Sequence, residues 1–182
     1  MISYRKLAVR SDRGHVVPPA ETFTSGLHTK TADGFTPAAD SAVVEAALEI
    51  LSKRIAKGSL LSSPQAARDY LVARISDRQD EVFGVIWLST RHHVIDVVEM
   101  FQGTIDGCSV HPRTVVKMAL AKNAAACILF HQHPAGVADA SRADELITKR
   151  LQESLALIEC RVIDHVIVAG RETFSFAEKG LL

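Results

Sequence analysis

Cysteine is scarce in this chain of 182 residues, and the three present, Cys108, Cys127 and Cys160, include no close pair. So sparse and odd a set argues against a disulfide framework and fits a reducing compartment. Cys127, inside Ala-Ala-Cys-Ile-Leu-Phe, reads as a small buried hydrophobe. Surplus charge is missing too, since 21 Lys and Arg balance 21 Asp and Glu. Proteins that live on nucleic-acid phosphates are usually more basic. A nucleic-acid partner therefore draws no support from net charge, although a local basic patch stays open. No apolar run approaches the ~20 residues of a membrane helix, and residues 1–20 hold no apolar stretch of the secretory kind. A cytoplasmic protein with no membrane partner is the expectation. No internal repeat is evident. No Gly-rich loop follows a strand to hold a nucleotide, and the His-x-Glu and Pro-Cys-x-x-Cys pattern of zinc deaminases is absent.

What is present suits a single compact domain with room for an appended arm. Apolar residues make up 47% of the chain, enough for a core. Residues 1–39 lack periodicity and carry Pro18, Pro19, Gly26, Gly34 and Pro37, which reads as a flexible N-terminal arm. Residues 40–60 read as an N-terminal helix, with Asp40 or Ser41 as cap, a stripe of Val44, Leu48, Leu51 and Ile55, and Gly58 as the stop. A second helix starts at Ser63-Pro64, a cap followed by proline in the first helical position, and buries Ala67, Leu71 and Ile75. The period then changes. Residues 82–88 and 94–101 read as a hairpin of two strands, followed by a loop over 103–112 and a helix over 114–125. A short buried strand over 127–130, a loop over 131–140 and a helix over 141–158 come next. Strands over 161–169 and 173–176 turn at Gly170. This alternation predicts an α/β layered domain over 61–182.

The chemistry concentrates in His131-Gln132-His133-Pro134 and in Ser141-Arg142-Ala143-Asp144. Two histidines separated by one residue at a strand end can aim at one point if the chain bends there, and Pro134 favours a bend. Counting back from Leu151 and Ile147 sets Asp144 on the core-facing stripe of its helix. An unpaired carboxylate there is costly, and a metal removes the cost. Two imidazoles, one carboxylate and an open position describe a catalytic zinc site. Ser141-x-x-Asp144 also reads as a helix capping box, by itself the commoner meaning, and an Asp on a metal is not expected to cap well. For a general base the candidate is Glu99, which alternates with Ile95 and Val97 and so points to an apolar face; the alternative is that it frays at the strand end. His165 reads as either a second layer behind the metal or a satisfied core histidine. His92, His93 and His111 read as solvent-facing.

These pieces resemble a known family. EMFQGTIDGCSVHPRTVVKMAL, NAAACILFHQHPAGVADASRADELITKRL, LIECRVIDHVIVAG and the closing FAEKGLL are similar to the RadC family, a bacterial branch of the JAMM (MPN+) metalloprotease superfamily. That superfamily's signature is an upstream Glu, then His-x-His, ten residues and Asp, with Ser three before the Asp. Glu99, His131, His133, Asp144 and Ser141 fill these positions. Gln132, Ala135 and Ala140 stand where the family usually has Asn, Ser and Pro. The family's N-terminal helix-hairpin-helix element is not evident in residues 1–60.

The resemblance implies an MPN (cytidine-deaminase-like) domain with a mixed β-sheet flanked by helices. It implies one Zn2+ per chain on His131, His133 and Asp144, and metal-assisted cleavage of peptide or isopeptide bonds in an unidentified protein substrate. Glu99 would be the general base, and Ser141 would help the metal to stabilise the oxyanion. A DNA-repair-associated protein or nuclease, and an MPN module that only binds, are the rival readings. Oligomeric state is not readable.

Overall fold

The structure, a computed structural model, describes residues 2–4, 27–31, 34–103 and 109–182. It divides into two compact units, Met1–Ala47 and Leu48–Leu182. In the first unit, β1 (Ile2–Tyr4), β2 (Leu27–Thr31) and β3 (Gly34–Pro37) form an antiparallel sheet in that order. Apart from Ala38 and Ala39, the described part of the stretch expected to be a flexible arm is thus strand. Segments of three to five residues are too short for alternation to register as a period. The remainder of that stretch lies outside the described residues. Helix α1 (Asp40–Arg54) begins among the first unit's residues and ends among the second's.

The second unit is the α/β domain. Its elements are α2 (Pro64–Ile75), β4 (Val82–Leu88), β5 (Val94–Gln102), α3 (Pro112–Lys122), β6 (Ala126–Gln132), α4 (Arg142–Ala156), β7 (Arg161–Ala169) and β8 (Glu172–Ser175). The five strands lie in the order β5-β4-β6-β7-β8, with β6 and β7 parallel and every other pair antiparallel. The fold is therefore the mixed sheet between helices that the sequence predicts. β4 and β6 are buried along their whole length, so up to Phe130 they read as runs without polar residues instead of alternating ones.

Each face of the sheet has its own core. On one, Ile86, Leu88, Ile128, Phe130 and Val166 meet Tyr70, Leu71 and Ile75 of α2. On the other, Phe83, Val85, Trp87, Cys127 and Leu129 meet Val115 and Ala119 of α3 and Leu151 and Leu155 of α4. Gly84 has a packing reason: an added Cβ would stand 2.2 Å from Cζ of Phe130 and 2.7 Å from the Val98 carbonyl. β5 carries two register shifts against β4, opposite Phe83/Gly84 and Trp87/Leu88, so Met100 and Ile95 are extra residues.

Caps follow the expected chemistry. Ser63 accepts from the Ala66 N–H at the start of α2, and Asn123 ends α3 in the left-handed region at φ 49°. Proline in the first turn starts α3 two residues earlier than expected, at Pro112. No helix among the described residues is long and apolar enough to cross a membrane.

Candidate metal centre

The centre forms where β6 ends and α4 begins. Residues two apart on a strand share a face, so His131 and His133 point the same way without any bend, towards α4. β6 starts one residue earlier and runs two residues further than expected, so it includes His131. His133 follows it, its N–H donating to the Val168 carbonyl at 2.8 Å. The chain then turns through Gly136 at φ 77°, a backbone conformation glycine adopts without penalty, with its N–H donating to the His133 carbonyl at 3.1 Å.

His131 and His133 bring their Nε2 atoms to 2.8 Å from one another. Asp144, in the first turn of α4, sets Oδ1 3.1 Å from His131 Nε2 and Oδ2 3.5 Å from His133 Nε2. The three donor atoms all lie within 4.8 Å of one another. His131 is 1% exposed and Asp144 8%, while His133 is half-buried and opens the site to solvent. Phe83 stacks on the His131 ring at 6.3 Å between centroids.

Ser141 and Asp144 form a full capping box. The Ser141 N–H and O–H both donate to Asp144 Oδ2, at 2.7 and 2.6 Å, and the Asp144 N–H donates to Ser141 Oγ at 3.2 Å. Both carboxylate oxygens are engaged: Oδ2 serves the cap and lies 3.5 Å from His133 Nε2, while Oδ1 faces His131. Burial works against the Asp144 charge. The imidazoles of His131 and His133, and the Ser141 hydroxyl, outweigh it and hold the carboxyl far below the usual carboxylate range. The hydrogen bond to Asp144 raises His133 above an ordinary imidazole against its burial, with smaller support from the Val137 carbonyl and from the charge of Glu81. His133 Nδ1 donates to that carbonyl at 3.0 Å, which leaves its Nε2 facing the centre. His131, His133 and Asp144 are positioned to bind a metal ion.

The sequence profile of the RadC-like JAB domain matches residues 61–181. The chain belongs to the RadC-like JAB domain family. Its relatives include UPF0758 proteins of Nitrosococcus oceani, 56% identical over 132 residues, and of Thioalkalivibrio sulfidiphilus, 55% identical over 141. A third, from Methylibium petroleiphilum, is 49% identical over 142 residues. The matches cover 72%, 78% and 78% of this chain and 59%, 63% and 64% of the relatives, so the chain spans less than two thirds of each.

Within this RadC-like domain Glu99 is not brought to the centre. It lies opposite Gly84 on β4, whose other neighbour is Phe130, on the α2 face of the sheet. Its carboxylate is held by Arg74 Nε at 3.1 Å and by Arg78 at 3.2 Å. His131 faces the other way, opposite Phe83. The alternation with Val97 was right, but the apolar face it identified is the wrong one of two.

The carboxylate on the histidine side is Glu81, which the sequence reading passed over. It directly precedes β4 and receives the Gly103 N–H on its carbonyl at 2.7 Å. Extending the Phe83–His131 register by two residues sets Glu81 across from His133, on the same face.

Two further residues back the centre. His165 on β7 is fully buried, stacks on Phe176 at 4.8 Å and lies 2.8 Å from His131 Nδ1, so it serves both as core and behind the ligand. Burial, reinforced by the neighbouring imidazoles, holds its ring well below an ordinary histidine's pKa. Thr148 on α4 touches its far nitrogen at 2.6 Å. Gln132 points away from the centre, Nε2 donating to the Arg78 carbonyl at 2.9 Å. His111 is exposed and edge-on to Phe101. Cys127 and Cys160 are buried thiols, and Cys108 lies outside the described residues.

Proposed function

We propose that the domain is a metal-dependent hydrolase in which His131, His133 and Asp144 hold zinc and the bond cleaved is a peptide or isopeptide. The observation that carries the reading is the convergence of two imidazole Nε2 atoms, 2.8 Å apart, with a carboxylate oxygen 3.1 Å from one of them. Three N and O donors with one side open to solvent suit catalytic zinc. When bound, zinc supplies Lewis acidity that makes a water nucleophilic near neutral pH. The choice of an amide bond rests on the family's resemblance to the JAMM peptidases.

The protein's own residues supply the remainder. We assign the general base to Glu81 in place of Glu99. Its carboxylate takes the proton of the attacking water as the C–O bond forms, and returns it to the leaving nitrogen as the C–N bond breaks. Asp144 stays ionised throughout, held by the cap. Ser141, whose hydroxyl rests on Asp144 Oδ2, becomes a donor to the developing oxyanion by turning that O–H outward.

The test is metal analysis of the purified chain together with hydrolysis of a panel of fluorogenic peptides and isopeptides. About one zinc per chain is expected, and His131→Ala or Asp144→Ala should lose it. Glu81→Gln should keep metal and fold while turnover falls by about 10²–10⁴. Zinc retained in both ligand variants overturns the metal reading. Undiminished turnover in Glu81→Gln overturns the base.

A further inference from the structure

Behind the two ligating histidines the polar contacts continue inward, and each has a direction. Thr148 Oγ1 lies 2.5 Å from the backbone carbonyl of Asp144 and 2.6 Å from His165 Nδ1. His165 Nε2 lies 2.8 Å from His131 Nδ1. His131, Thr148 and His165 are each at most 1% exposed, so no solvent intervenes. A carbonyl oxygen only accepts, so Thr148 gives its single proton to Asp144 and must accept from His165. His165 Nδ1 therefore carries a proton. A second proton on this ring would be a fully buried charge with no carboxylate on either nitrogen, which is prohibitively costly. His165 Nε2 is then a lone pair, and it accepts from His131 Nδ1–H. That leaves His131 Nε2 with its lone pair towards His133 and Asp144, the form a metal requires.

We infer that Thr148 and His165 are positioning residues that set the tautomer of His131 before any metal arrives. The chain of donors ends on the main-chain carbonyl of Asp144, the residue whose side chain is the third ligand. Asp144 thus stands at both ends of His131, its Oδ1 beside Nε2 and its main-chain carbonyl linked to Nδ1 through two buried side chains. With His133 Nδ1 likewise donating to Val137, both Nε2 atoms face the centre 2.8 Å apart, where a proton or a metal ion can lie between them. The inference rests on the metal reading above, but its first measurement needs no metal.

The full chain, with nitrogen-15 in its histidines, is stripped of metal and examined by long-range proton–nitrogen correlation spectra at mildly alkaline pH. His165 should carry its proton on Nδ1, with Nε2 showing the shift of an unprotonated acceptor. Thr148→Ser retains the hydroxyl and should retain this pattern. Thr148→Val removes the acceptor, so His165 should shift to the Nε2–H form, which drives the proton of His131 onto Nε2. Zinc affinity, read by chelator competition, should then fall about 10–100-fold in Thr148→Val and stay near wild type in Thr148→Ser. A proton on His165 Nε2 in the wild-type protein overturns the inference whether or not the variants fold, as does equal affinity in the two variants. A wild-type chain that takes up no zinc overturns the metal reading instead, and the spectra still decide the wiring.

Discussion

Replacing Asp144 by Asn separates the two jobs of that side chain. Oδ2 receives the Ser141 N–H and O–H at 2.7 and 2.6 Å, while Oδ1 faces His131 Nε2 at 3.1 Å. Asn keeps one oxygen and offers one amide NH2. With its oxygen in the Oδ2 position the cap survives, and the amide donates to the His131 lone pair. In metal-free protein at mildly alkaline pH, Asp144→Asn should therefore stay within ~1 kcal/mol of the parent, one hydrogen bond's worth. For a chain of this size that is about 2–4 °C in Tm. Asp144→Ala loses the two hydrogen bonds from Ser141 that form the carboxylate half of the capping box, and should cost about 1–3 kcal/mol. Both should lose the metal. The pH dependence adds a second constraint. The depressed Asp144 carboxyl contributes stability that is full above its ordinary value of 3.8 and lost as pH falls towards the folded value. The raised His133 contributes stability that is full below 6.5 and lost as pH rises through its folded value. The metal-free parent should thus gain most over Asp144→Asn between those limits, with the gap closing on either side. Thermal unfolding of chelator-treated proteins across a pH series measures it. An Asn variant as unstable as the Ala variant, or a gap that does not vary with pH, would refute the division of labour between the two oxygens.

Glu99→Gln tests the correction to the sequence reading. Its partners Arg74 and Arg78 are partly exposed, so losing the two ion pairs should cost about 0–1 kcal/mol each by denaturant unfolding. Zinc content and turnover should not change, and a loss of either would return Glu99 to the centre. Gly84→Ala should destabilise by about 1–3 kcal/mol, because its Cβ meets the Phe130 ring at 2.2 Å. Adding Phe130→Leu should recover part of the lost Tm, and a neutral single variant would show that the ring yields freely.

The elements that were readable in advance are those with strong local chemistry. Ser63-Pro64 announces α2, the β-branched and aromatic run Val82–Leu88 is β4, and Ile147, Leu151 and Leu155 mark the inner side of α4. The ligand trio was readable for the same reason, since all three residues lie within fourteen positions and one strand–turn–helix step. The carboxylate facing them was not. Alternation groups Glu99 with Val97, but a sheet covered by helices on both faces has two apolar sides, and only strand order and register say which holds the histidines. Extra residues at Ile95 and Met100 break the alternation of β5 twice, which further hides its facing. Glu81 sits one residue outside a strand, so its proximity to His133 depends on the pairing of β4 with β6, which no local pattern encodes. In sequence His165 reads as either a core histidine or a layer behind the metal, because its partner Thr148 comes from a different element.

Those same two extra residues have a consequence for how the molecule keeps to itself. β5 is the outer strand of its sheet among the described residues, nine residues long and rich in valine. A flat edge of that length and composition invites another chain to add to it and seed aggregation. Val94 at its start is already paired with Gly58 and Ser59, and bulges at Ile95 and Met100 divide the remainder into short stretches and twist them, which breaks the regular row of N–H and C=O groups a foreign strand would match. Removing one bulge of β5 by deleting either residue should therefore yield a chain less soluble than its fold alone would suggest.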